Sequence, residues 1–265
     1  MGANDITNIS LSLAFAALLS SFLIYKLLNI KLYKELVISI IRMTVQLFLV
    51  GLYLTVIFKL NHPVVNIIYI LLMMAAANFA VLKRTGIKIS MFLFTFPAIL
   101  ISIGAVLAFY MVLVFRPFPL YDARYLIPIS GMLLGNTMNR TIITLERFYS
   151  SVKSDEDGIS QLTAMGATLN ESTAQYLKTA YLAGLAPILA NMSTMGLVSL
   201  PGMMTGQILG GSLPLVAIKY QIAIILAIYT AADLSSLLCI RFSMIKGFTK
   251  TGFLDHSIFK KSQSD

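Results

Sequence analysis

The chain has 265 residues, 58% hydrophobic and only 12% charged, with a formal net charge of +9. Soluble domains carry about 25% charged residues, so the composition describes one integral membrane domain and excludes a soluble one. A lone cysteine, Cys239, excludes an intrachain disulfide, and the distant His62 and His256 argue against a zinc site.

The amino end, MGANDITNIS, carries Asp5 and no Lys or Arg. A cleavable signal needs a basic segment before its apolar core, so the run 6–25 is expected to be a retained span with its amino end outside. A spanning helix needs about 20 mostly apolar residues. Further runs of that kind lie at 36–58, 64–82, 90–115, 126–148, 179–200 and 214–239. The expected fold is all-α: a multi-pass bundle of seven transmembrane helices in a cell membrane.

Within the second span, Arg42 and Gln46 are four residues apart and share a polar stripe. The fifth span is denser in polar groups: Asn136 and Arg140 are four apart, with Gly131, Gly135 and Asn139 on an adjacent stripe. Small residues at that spacing let helices approach closely, so the Gly stripe reads as a packing surface. The Asn–Arg stripe is expected to face a partner helix or a pathway.

After the fifth span comes the polar segment 150–178, SSVKSDEDGISQLTAMGATLNESTAQYLK. Asp155, Glu156 and Asp157 favour a helix start. Ile159, Leu162 and Met165 recur at a helical spacing, and Gly166 ends the short helix. Thr168 and Glu171 fit a capping box for a second helix that runs into the sixth span. One reading is an amphipathic helix on the inner membrane surface. The other is a knob held in a groove of a soluble partner; the acidic run favours it, because the inner leaflet repels Asp and Glu.

The sixth and seventh spans are joined by SLPGMMTGQILGGSLP (199–214), uncharged and rich in Gly and Pro. Apolar, irregular backbone at membrane depth is tolerated only when buried in protein or lining a cavity. Pro201, Gly202, Gly206, Gly210 and Gly211 are therefore candidates for an outer gate, the alternative being tight packing. Met192, Met195, Met203 and Met204 lie nearby; thioethers bind soft metals such as Cu(I), and they also fill apolar cores. The seventh span carries Asp233. Ionisable groups in spans face the bundle interior or an aqueous path, so Asp233 is expected to pair with Arg140 or Arg42, as a structural bridge or as part of a path.

The tail, 247–265, is polar and expected to fray. Orientation follows the basic residues. Lys26, Lys31, Lys34, Lys83, Arg84, Lys88, Arg147, Lys153, Lys178, Arg241, Lys246, Lys250, Lys260 and Lys261 fall on one side, and only Lys59, Arg116 and Arg124 on the other. The carboxyl end and 150–178 are thus expected to be cytoplasmic. The basic residues are spread over loops rather than clustered, which suits topology and lipid headgroups, not nucleic acid. No P-loop, HExxH or GxSxG occurs, so no catalytic residues and no cofactor are expected.

The blocks GMLLGNTMNRTI (131–142), QLTAMGATLNES (161–172) and SLPGMMTGQILGG (199–211), in this order, resemble the FetB (YbbM-like) family of ABC transporter permeases, and the plant aluminium-sensitivity permeases look similar. The resemblance covers essentially the whole chain. It implies a permease domain over 1–246, a coupling segment at 150–178 and a cytoplasmic tail at 247–265. It further implies a homodimer of permease chains energised by a separate ABC-type ATP-binding subunit. The bacterial branch implies export of iron or a related metal; the plant branch implies aluminium tolerance, with a nucleotide sugar as one proposed cargo. AMGATLNE also resembles the coupling loop of ABC importers, but Gln161 stands where that pattern has an acidic residue and the later Leu-Pro spacing differs. The coupling role carries over to Ile159, Leu162, Met165, Gly166, Thr168 and Glu171, and no metal ligand does. The alternative is a self-sufficient secondary transporter or channel using Asp233.

Overall fold

A computed structural model describes residues 6–249 and 252–260. Among these, the chain runs through α1 (Asn8–Ala16), α2 (Leu19–Leu27), α3 (Tyr33–Leu60), α4 (Pro63–Arg84), α5 (Phe92–Phe109), α6 (Ala123–Ser154), α7 (Glu156–Ala164), α8 (Leu169–Thr194), α9 (Gly202–Leu209) and α10 (Pro214–Gly247). A 3-10 turn, Ile89–Met91, leads into α5, and a π-helical turn, Tyr110–Phe115, closes it. The described residues form no strand, only isolated bridges.

Five stretches among them are long and apolar enough to cross a membrane: Ile9–Leu27, Tyr33–Leu60, Pro63–Arg84, Ile89–Phe115 and Pro214–Gly247. They correspond to five of the seven expected spans. The runs 126–148 and 179–200 fall on α6 and α8, which are 32 and 26 residues long but more polar. Much of that polarity turns inward on α6, where Ser130, Thr137, Arg140, Thr141 and Thr144 are buried.

The bundle is built on α6 and α10. They pack on each other, α10 also on α5, and α6 also on α4 and α8. Small hydroxyl side chains line these contacts. Thr141 and Ser235 share a hydrogen bond of 3.2 Å, and the Tyr149 hydroxyl donates to Ser243 Oγ at 2.8 Å. Such residues allow close helix approach while returning their own O–H groups to the backbone, as Thr144 does to the Arg140 carbonyl at 2.9 Å. On α4 the buried positions Asn66, Ile70, Met74 and Asn78 recur every four residues, one helical face turned to the core. By contrast, α2 and α3 bury no residue.

The start of α6 is fixed from a distance. Asn61, left-handed at φ 38°, ends α3, a conformation that Asn tolerates better than most residues. Its Oδ1 accepts the Ala123 N–H at 2.9 Å, and Asn66 Nδ2 donates to the Tyr121 carbonyl at 2.8 Å. Asp122 adds the local cap on the Arg124 N–H.

The Gly stripe expected on α6 divides. Gly131 packs against Met73, whereas Gly135 faces open space. The tight α6–α8 approach lies at Gly184 instead, where a Cβ would come within 2.2 Å of Thr144 Oγ1 and 3.2 Å of Arg140 Cγ.

The expectation of a frayed tail does not hold over 252–260. Leu254 and Ile258 are buried. The Lys88 N–H donates to the Ile258 carbonyl at 2.7 Å, and the Lys260 N–H to the Gly86 carbonyl at 2.9 Å. Apolar residues spaced along an otherwise polar segment anchor it beneath the α4–α5 connection. Lys250 and Lys261 lie outside the described residues.

Replacing Gly184 by Ala should force α6 and α8 apart and cost about 1–3 kcal/mol, read as a lower melting temperature in detergent. Gly131→Ala should cost little, since a Cβ there meets only the mobile end of Met73. Equal losses at the two positions would contradict the packing described.

Candidate functional site

The centre of the bundle holds an ion pair. Arg140 Nη2 on α6 donates to Asp233 Oδ1 on α10 at 2.8 Å, with the arginine side chain 1% exposed and the aspartate 32%. The Tyr181 hydroxyl on α8 donates to the same oxygen. The guanidinium also lies over two rings, 5.0 Å from the centroid of Tyr181 and 5.9 Å from that of Tyr229, a cation–π arrangement that strengthens where water is scarce. Its Nε and Nη1 are buried with no hydrogen-bond partner. The charge of Arg140 is thus held by one carboxylate oxygen and two aromatic faces.

Of the two arginines considered for Asp233, Arg140 makes the contact. Arg42 is exposed on α3, as is Gln46, and neither has a partner among the described residues. Asn136 and Asn139 are also exposed, with Asn136 donating to its own helix at Met132. The expected Asn136–Arg140 stripe therefore splits: Arg140 turns into the bundle while Asn136, Asn139 and Gly135 present a surface. The side chain of Arg140 follows its counter-charge on α10 rather than the ideal four-residue row.

The segment 150–178 folds into two short-range units. Asp155 caps α7 by accepting the Gly158 N–H at 3.3 Å. Gly166 follows α7 at φ 96°, a left-handed conformation open to glycine. Thr168 and Glu171 form a complete capping box at the start of α8. The Thr168 hydroxyl and N–H donate to Glu171 Oε2 at 2.7 and 2.8 Å, and the Glu171 N–H returns to Thr168 Oγ1 at 3.3 Å. These bonds, the hydroxyl foremost, hold the Glu171 carboxyl below the usual carboxylate range.

One contact closes this segment on itself and another ties it to the tail. Tyr176 on α8 donates to Asp155 Oδ2 at 2.5 Å, and the carboxylate beside it raises the phenol above its ordinary value. His256 Nε2 in the tail meets Glu156 Oε2 at 3.0 Å. The three apolar residues of α7 do not act alike. Ile159 is buried and anchors the helix beside Val152, Phe248 and Leu254, so it is not available to a partner. Leu162 and Met165 are 44% and 85% exposed.

At the end of the bundle remote from α7, two cavities flank α9. One, of about 450 Å³, lies among Met192, Met195, Pro201, Met204, Gln221 and Leu226. The other, of about 870 Å³, is more polar and includes Arg116, Asp122, Arg124, Gln207 and Tyr220. Of the candidate gate residues, Pro201 precedes α9, Gly202 and Gly206 lie within it, Gly210 ends it, and Gly211 turns out of it at φ 97°. Tyr181, Tyr229 and Gly184 have no distinguishing signal in the sequence.

The family described as "Uncharacterised protein family (UPF0014)" matches residues 8–248. The chain is 34% identical to UPF0014 membrane protein YjkA of Bacillus subtilis (strain 168), over 89% of this chain and 92% of that one. It is 32% identical to the Probable iron export permease protein FetB of Escherichia coli (strain K12), over 90% and 91%. It is 31% identical to Protein ALUMINUM SENSITIVE 3 of Arabidopsis thaliana, over 87% and 84%. No solved structure matches the chain.

Removing Asp233 alone, as Asp233→Ala, should leave Arg140 charged and unpaired and cost about 3–5 kcal/mol. Arg140→Met combined with Asp233→Leu should recover most of the lost melting temperature; no recovery would mean that the two groups do not act as a pair. At the α7–α8 junction, ionised Glu171 supports the capping box. Its contribution is complete above the ordinary carboxylate range and lost as pH falls through the depressed value. In micelles, the Thr168 amide resonance should titrate below that range, and Glu171→Gln should abolish the titration.

Proposed function

The chain belongs to the UPF0014 family, and from that membership we propose that it is the membrane permease subunit of an ABC transporter. Its cargo in this reading is iron or a related metal, moved outward, in keeping with the name of the Escherichia coli relative. Two copies span a cell membrane, seven helices each, with the amino end outside and the carboxyl end cytoplasmic. A separate ATP-binding subunit grips 150–178 and carries out all hydrolysis, so the chain itself is not an enzyme.

One observation carries the coupling role. The second helix of the segment is continuous: α8 runs 26 residues from its capping box to Thr194, about 39 Å at 1.5 Å per residue. It begins beside the exposed Leu162 and Met165 and passes the Arg140–Asp233 pair through Tyr181. A partner pulling on α7 would therefore tilt α8 without a flexible linker to absorb the motion. The six-residue set expected for coupling divides accordingly: Leu162 and Met165 meet the ATPase, Ile159 holds α7 in place, and Gly166, Thr168 and Glu171 shape the junction. The surface formed by Asn136 and Asn139 lines or braces the path between copies, and 199–211 forms the outer gate. The competing reading, a secondary carrier driven through Asp233, is disfavoured by the commitment of Asp233 to Arg140 and Tyr181.

Co-expressed with the Walker-motif ATP-binding subunits of its own genome, the chain should retain one of them through purification. Leu162→Asp with Met165→Asp should lose the partner while leaving the melting temperature unchanged, because both side chains are exposed. Proton-driven transport in liposomes by this chain alone would overturn the proposal.

A further inference from the structure

The cavity of about 450 Å³ combines three thioethers, Met192 and Met195 at the end of α8 and Met204 on α9, with the amide of Gln221 on α10. Gln221 is 7% exposed, and its Oε1 is buried with no hydrogen-bond donor. An amide oxygen without a donor is costly in an apolar setting, and a turn of the Gln221 side chain toward the cavity would let a cation or a donor-bearing ligand there relieve that cost. Every other lining residue is aliphatic, Gly or Pro, and no ionisable side chain lines the space.

These donors select among cations. Thioethers are soft ligands that suit Cu(I), whereas Mg, Ca and Mn want carboxylates, carbonyls or water. Charge acts in the same direction. With no anionic ligand, the cost of removing an ion from water rises with the square of its charge, so a divalent ion is penalised about fourfold more than a monovalent one of the same size. Methionine has three rotatable bonds, and the volume leaves the three sulfurs room to converge. We infer that this cavity is a binding site for a soft monovalent cation, Cu(I), held by Met192, Met195 and Met204 with Gln221 as an oxygen donor. The site is a property of the single chain and does not depend on the proposed ATPase, the transport direction or the iron assignment.

The test uses the full chain in detergent, anaerobic and reduced, in a Cys239→Ala background that removes the only thiol. Cu(I) is delivered from a chromophoric chelator in competition. Binding should saturate at a single ion per chain, be displaced by Ag(I), and show sulfur neighbours by X-ray absorption; excess Fe(II) under the same conditions should not displace the bound Cu(I). Replacing the three methionines together by Leu should abolish retention, since Leu keeps the bulk and apolarity of Met but has no sulfur. If that triple variant fails to fold, Met192→Leu and Met204→Leu separately should each weaken the competition, and Gln221→Leu should weaken it less. Saturation unchanged in the triple variant, a shell without sulfur, no Cu(I) bound, or Fe(II) held in its place would each overturn the assignment. ATPase co-purification is scored separately, so either result leaves the permease reading to its own test.

Discussion

A single buried cation sets the terms for the centre of this bundle. The Arg140 side chain is 1% exposed, and an isolated charge in such a place carries a penalty of several kcal/mol. Asp233 meets it from α10, Tyr181 completes the aspartate from α8, and the Tyr181 and Tyr229 rings cover the guanidinium. For α8 to reach that position it must come close to α6, which Gly184 permits against Thr144 and Arg140 itself. The register of α10 is constrained in turn, because only one turn of it carries a carboxylate. Three helices are thus locked by one ion pair and one missing side chain.

The rigidity extends from there toward α7. α6 leaves the centre and ends at Ser154, one residue before the Asp155 cap, and α8 enters from its Thr168 cap. The Tyr176–Asp155 bond ties these two ends together across α7. The tail then adds a brace, with His256 on Glu156 and the backbone of Ile258 and Lys260 on the α4–α5 connection. A load applied at α7 is consequently shared by α6, α8 and the connection before α5. Hydrogen bonds from Ser257 keep the nearby Asp255 carboxyl below its usual range, so this turn of the tail stays anionic beside the basic end of α10.

What the sequence revealed and what it hid differ in kind. The α7–α8 junction is local chemistry, with acidic residues, Gly166 and the Thr168–Glu171 box all within reach of one another along the chain, and it folds as those signals direct. The Arg140–Asp233 pair was legible for another reason: charges in apolar helices need each other. Choosing Arg140 over Arg42 was not legible, because it depends on how α3 and α6 sit around α10. Tyr181, Tyr229 and Gly184 were invisible for want of contrast, since Tyr and Gly serve many ends in apolar helices. The tail misled through its mean composition. Leu254 and Ile258 are too few to register as a periodic element, yet both are buried, and Leu254 lies beside the buried Ile159 of α7.

Lipid discriminates between the surfaces that remain. On α10, Leu234 and Leu237 are exposed, side chains that acyl chains accept without cost, whereas Ile222 and Leu226 border the methionine-lined cavity. α6 presents Gly135, Asn136 and Asn139, while α3 presents Arg42 and Gln46. Side chains of that kind within a span are expensive in hydrocarbon and turn toward protein or water. α3 buries no residue and meets its neighbours at scattered points, such as Tyr53 on Tyr69 of α4 and Tyr33 on Phe22 of α2, so its polar stripe has little of its own fold to shelter it. In the proposed seven-span arrangement, a single chain leaves a polar surface on the α3–α6 side that neither its own core nor lipid satisfies. The proposed second copy, and a hydrated path between the two, supply what that side lacks.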